Sequence, residues 1–149
     1  MNSTEKLFSL KDKVAVVLGG TSGIGQAIAR GYSEVGAVTI ASSRDQARVD
    51  AMANQLEKLG SKTLRIASDV QDRKSLETLC DAVVSKFQRV DILVVTSGTL
   101  KKMPTAEFPE DEWNRIIDIN LNGTFRANQI FGRQMIRAIA EVDDPFGLA

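Results

Sequence analysis

Residues 14–29 read VAVVLGGTSGIGQAIA. Five apolar residues, Val14–Leu18, run into a glycine-rich turn, Gly19–Gly25, and apolar residues at helical spacing follow. This order predicts a buried strand, a sharp loop, and a helix whose N-terminus faces that loop. Everything else in the chain is read outward from this unit.

The same alternation recurs downstream. Val38–Ala41, Thr63–Ala67 and Asp91–Val95 are short runs rich in β-branched residues, suited to strands covered on both faces. Between them, three segments carry apolar residues at helical spacing. The first is Ile24, Ala27, Ile28, Gly31, Tyr32 and Val35; the second is Val49, Met52, Ala53, Leu56 and Leu59; the third is Leu76, Leu79, Cys80, Val83, Val84 and Phe87. Gly36 and Gly60 stand where helices end, and Asp72 where one begins. A fourth helix is expected from about Pro109 to about Glu141, stopped by Asp143-Asp144-Pro145. Strands alternating with helices require a parallel sheet with right-handed crossovers. The expected fold is therefore α/β, a doubly wound parallel sheet of about four strands in the order 3-2-1-4, with helices on both faces.

At 149 residues the chain suits one domain. Lysine plus arginine equal aspartate plus glutamate at 19 each, so no net field points to nucleic acid or an anionic membrane as partner. There is no histidine and one cysteine, Cys80, which excludes Ser-His-Asp triads, Cys-His dyads, internal disulfides and ordinary zinc sites; no metal is expected. The opening MNSTEKLFSLKDK lacks an apolar core, and no long apolar run follows, so a cytoplasmic location is expected. Cys80 and Trp113 are expected in the core, and Lys101-Lys102 in a solvated loop.

The glycine turn carries the chemistry. Gly19 permits a sharp exit from the strand, Gly23 lets backbone approach a phosphate, and Gly25 lets helix and sheet close together. With Thr21, Ser22 and Ile24 these residues set a helix N-terminus, a donor of free N–H groups, against an anion. A P-loop is excluded, because Gln26-Ala27 follows Gly25 where Lys-Ser/Thr is needed. At the end of the second strand, where an acid would hold the 2′-hydroxyl of NAD, stand Ser43 and Arg44, a pair suited to the 2′-phosphate of NADP. NADP is expected over NAD, although Asp45 follows at once. Asn120 shares a helical face with Trp113, Ile116, Ile117, Leu121 and Thr124 and is expected to be buried. Two readings of it remain open, a satisfied core amide and a kinked helix that holds a water in a proton relay.

Together these residues resemble the short-chain dehydrogenase/reductase family over residues 7 to about 137. GGTSGIG resembles the family's TGxxxGIG loop, with Leu18 in the place of threonine. Ser68-Asp69-Val70 resembles the Asp-Val pair whose aspartate meets the adenine amino group. Val95-Thr96-Ser97-Gly98 stands where the family has Asn-Asn-Ala-Gly, with only Gly98 kept. Ile119–Gly123 resembles the segment carrying the family's catalytic asparagine, here Asn120. The resemblance implies a NAD(P)-binding Rossmann domain spanning 1–149 and incomplete at its C-terminus. It also implies hydride transfer between a nicotinamide cofactor and a small alcohol or carbonyl, and a homo-oligomer. The family's Tyr-x-x-x-Lys pair is not in this sequence; the one tyrosine, Tyr32, is followed four residues on by Gly36. The chain is therefore expected to be inactive alone, with the fourth strand and fourth helix left open to self-association. A non-catalytic dinucleotide-binding or pairing module, and a product of an early stop, remain as alternatives.

Overall fold

The computed structural model describes residues 7–143. Three strands form a parallel sheet in the order β2-β1-β3: β1 Val14–Leu18, β2 Val38–Ser42 and β3 Ile92–Val95. β1 is central, with Val14 opposite Val38 on one side and Ala15 opposite Ile92 on the other. All five of its residues are buried, which is why it reads as an unbroken apolar run. Its side chains part to the two faces. Val14, Val16 and Leu18 join Leu76, Leu79, Val83 and Phe131 in one core, while Val17 joins Ala29, Met52 and Leu56 in the other.

Four helices supply those layers. α1 (Gly23–Glu34) and α2 (Gln46–Lys58) cover one face; α3 (Arg73–Phe87) and α5 (Gly123–Asp143) cover the other. α4 (Glu110–Ile117) precedes α5 and joins it through a π turn, Asp118–Asn122. The ends fall where the sequence places them. Gly36 and Gly60 adopt φ of 96° and 85° after α1 and α2, and Asp72 caps α3 by accepting from Lys74 N–H. Cys80 is buried in the α3 core, and burial, helped by Asp81, pushes its thiol up to about 11, so it packs rather than reacts. The expected helix stop at Asp144-Pro145 lies outside the described residues.

Three expectations are corrected. The segment Thr63–Ala67 lies beside β2 but forms no continuous ladder with it. Backbone bonds at its two ends, Thr39 N–H to Lys62 O and Ser68 N–H to Ser43 O, hold it in place. Hydroxyls serve the carbonyls nearby, Ser61 Oγ donating to Ala37 O and Ser42 Oγ to Ile66 O. The buried stripe of α1 is Gly25, Ala29 and Ser33, one position on from the apolar set, with Ile24 76% exposed. Small residues win that face because the helix must lie close to the sheet. Trp113 is not in the core; it is 58% exposed, and the face bearing it is uncovered among the described residues.

β3 is aligned by Asp91, just before it. Asp91 N–H donates to Val14 O, and Asp91 Oδ2 accepts from Val14 N–H at 2.9 Å. Lys13 and Arg89 pair with the same carboxylate. Burial pushes the Asp91 pKa up, but the Val14 N–H and the two cations outweigh it and hold the group below its ordinary 3.8. A depressed carboxylate stabilises the fold above its unfolded pKa and loses that contribution as pH falls through the folded value. Asp91→Asn is therefore expected to lower stability at neutral pH by about 1–3 kcal/mol and to flatten the loss of wild-type stability below about pH 4. Urea melts across pH 3–7 check both.

Candidate functional site

The carboxyl ends of β1, β2 and β3 and the loops after them enclose an open cleft of about 1130 Å³. Its lining brings together residues far apart in the chain: Gly19 and Thr21–Gly25 from the first loop, Ser43 and Arg44 after β2, Asp69 and Val70 before α3, and Gly98 after β3. Every cofactor residue expected from the sequence lines this one cleft. Asn120, on the π turn, is not part of this lining but hydrogen-bonds Thr99, which is.

The glycine loop is built by exclusion. Gly19 has φ of 80°, and its N–H donates to Ser42 O at 2.8 Å, which folds the loop back over β2. A Cβ on Gly25 would fall 2.3 Å from Gly19 O and 2.4 Å from Thr96 Oγ1; one on Gly19 would fall 2.7 Å from Thr96 Oγ1. Loop, helix and β3 thus meet with no room for a side chain. Gly23 differs, because it lines the cleft and a Cβ there would meet nothing within 4 Å. Its φ of 52° and the free approach it leaves are what the position requires. Ser22 starts α1 without a side-chain cap, so the first-turn N–H groups point at the cleft unspent.

Thr96 is a contact that sequence reasoning missed. Its backbone N–H and its hydroxyl both donate to Leu18 O, at 2.8 and 2.9 Å. The hydroxyl clips the end of β3 to the end of β1 and stands directly under Gly19 and Gly25. A threonine at the expected asparagine position gave no signal of this, because the bond depends on the register between two strands 78 residues apart.

At the β2 end, Thr21 Oγ1 donates to Ser43 Oγ at 2.8 Å and leaves the Ser43 hydroxyl proton for a ligand. Asp45 is engaged elsewhere. It caps α2 by accepting from Arg48 N–H and pairs with Arg48 Nε at 3.3 Å. Arg44, Asp45 and Arg48 all line the cleft. The result is a basic rim whose nearest acid is already paired.

Asn120 is not buried; it is exposed, as is Leu121 at 63%. The physical cause is the π turn, in which Gly123 N–H reaches Asp118 O across five residues. The extra residue rotates the following side chains, so Ile119 takes the inward place. Asn120 instead grips one backbone unit at both ends. Its Oδ1 accepts from Thr99 N–H and its Nδ2 donates to Thr99 O, each at 2.9 Å. That pins the segment following Gly98 against the cleft.

Comparison with known proteins agrees with this geometry. Residues 13–141 match the short chain dehydrogenase family. The 2-dehydro-3-deoxy-D-gluconate 5-dehydrogenase of Pseudoalteromonas atlantica is 37% identical over 130 residues, covering 87% of this chain and 51% of the relative. The NAD-dependent glycerol dehydrogenase of Listeria innocua is 34% identical, covering 89% and 51%. The RhlG/NADP active-site complex of Pseudomonas aeruginosa superposes with a TM-score of 0.81 at 30% identity, covering 88% and 51%. The chain spans about half the length of the curated relatives it matches. It belongs to the short chain dehydrogenase family.

The Thr96 clip gives a direct test. Thr96→Val keeps the shape and removes the hydroxyl, and is expected to cost about 1 kcal/mol of stability. Thr96→Ser, which keeps the bond, is expected to cost less. Equal losses in chemical denaturation would assign the effect to packing instead.

Proposed function

We propose that this member of the short chain dehydrogenase family binds NADP(H), in preference to NAD(H), along the cleft at the carboxyl ends of its strands. In this reading the cleft is the cofactor half of an oxidoreductase that acts on a small alcohol or carbonyl. The observation that carries the cofactor choice is the end of β2. Ser43, Arg44 and Asp45 all line the cleft, and the Asp45 carboxylate is engaged by Arg48 N–H at the start of α2 and by the Arg48 guanidinium. A free carboxylate there would accept from a ribose 2′-hydroxyl and repel a 2′-phosphate. A hydroxyl and a guanidinium instead offer charge-assisted bonds to the phosphate.

Bound nicotinamide would supply the hydride or accept it; the chain's own residues hold it in place. The uncapped first turn of α1 would receive the diphosphate, at the open face of Gly23. Asp69, with its carboxylate already oriented by Gln71 N–H, would meet the adenine, in line with the family resemblance. Asn120 acts by holding the Thr99 segment, which follows Gly98 at the other end of the cleft. The sequence has no Tyr-x-x-x-Lys, so the residues present bind and position rather than transfer a proton. No described helix is long and apolar enough to cross a membrane.

Titration of NADPH and NADH onto the purified chain tests this. Arg44→Ala is expected to weaken NADPH by about 1–3 kcal/mol, a factor of roughly 5–150, and to leave NADH unchanged. Equal losses for both would overturn the 2′-phosphate role. If the wild-type chain binds neither at millimolar concentration, the cleft is not a dinucleotide site.

A further inference from the structure

Asp118 sits on the π turn, outside the cleft lining, and its carboxylate accepts from three side chains. Its Oδ1 accepts from Arg126 Nη2 at 2.6 Å and from Asn122 Nδ2 at 3.2 Å; its Oδ2 accepts from Gln71 Nε2 at 3.0 Å. Hydrogen bonds from Arg126, Gln71 and Asn122 hold its pKa at about 2, so it remains a carboxylate under all ordinary conditions.

The partners join the Asp69 loop to the π turn. Gln71 is bound at both of its ends, its side chain to Asp118 and its backbone N–H to Asp69 Oδ1 at 3.0 Å. Arg126 repeats the link, donating from Nη1 to Val70 O at 3.3 Å while Nη2 holds Asp118. Gly123 closes the same joint by shape, since a Cβ there would fall 2.9 Å from the Val70 side chain. Two residues before Gln71 is Asp69, and two after Asp118 is Asn120.

We infer that Asp118 is a positioning residue for cofactor recognition: through Gln71 it fixes the Asp69 carboxylate, and through the π turn it fixes Asn120 and the Thr99 segment. The Asp69 loop and the Thr99 segment are thereby set as one unit rather than as two loops. The inference rests on the dinucleotide reading above and adds the residues that make the adenine end selective.

The test uses an analogue that lacks the adenine amino group, reduced nicotinamide hypoxanthine dinucleotide phosphate, beside NADPH, on the full chain. The wild-type chain is expected to prefer NADPH. Asp118→Asn and Gln71→Met are each expected to shrink that preference by about 3- to 10-fold, while the preference for NADPH over NADH, set at Arg44, stays unchanged. Gln71→Met keeps the Asp118–Arg126 pair and so remains informative where Asp118→Asn fails to fold. An unchanged ratio, or an equal loss for both nucleotides, would overturn the inference by showing a purely structural role. Equal wild-type affinity for the two nucleotides would overturn it through Asp69. Wild-type binding of neither would instead overturn the dinucleotide reading beneath it.

Discussion

The close approach of three backbones governs this molecule. The Gly19 carbonyl, the Thr96 hydroxyl and the start of α1 at Gly25 occupy a space in which a single added methyl has no place. Because they meet there, the helix N-terminus lies over the carboxyl ends of β1 and β3 and not beside them. In the order β2-β1-β3, the chain leaves β1 for α1 on one face and leaves β3 for α4 and α5, which covers the other, so the loops after these strands diverge and open a crevice. The cleft is a consequence of topology, and the glycines decide only that a helix dipole points into it.

Much of this was legible in the sequence for a simple physical reason. A strand covered on both faces must be apolar throughout, and β1 is. Glycines with φ near 90° must follow helix ends, and Gly36 and Gly60 do. Gly19, Ser43 and Gly98 were legible as cleft residues because they follow strands, where an α/β sheet gathers its loops, whereas Asp69 and Val70 follow a segment that pairs with β2 only at its ends. What could not be read was anything set by a fraction of a turn. The buried face of α1 is offset by one residue, since close packing on the sheet favours Gly25, Ala29 and Ser33 over the larger Ile24. The π turn shifts Asn120 outward in the same way, and a pattern assuming 3.6 residues per turn cannot see an inserted residue.

The third expected strand shows a different limit. Thr63–Ala67 has strand composition, and it does lie against β2, yet serine hydroxyls take carbonyls that a ladder would use. Ser42 and Ser61 offer local donors, and local donors compete with regular pairing. Propensity describes what a segment prefers in isolation. It does not count the hydroxyls waiting on its neighbours.

Charge at the cleft has the same local character. The chain has no net charge, so no long-range field draws an anionic ligand to it. Selectivity must come from which acid is free and which is spoken for. Asp45 is paired with Arg48, Asp118 with Arg126, and Asp91 with Arg89 and Lys13. Each of these carboxylates does structural work, and each is neutralised where it stands. Asp69 differs from them, because its carboxylate accepts from a backbone N–H and pairs with no cation among the described residues. Ser68 N–H donates to Ser43 O and the Ser42 and Ser68 hydroxyls meet at 2.8 Å, so the Asp69 loop and the Arg44 loop stand side by side at the cleft. In the proposed reading, the adenine amino group and the 2′-phosphate of one nucleotide would meet these two neighbouring loops.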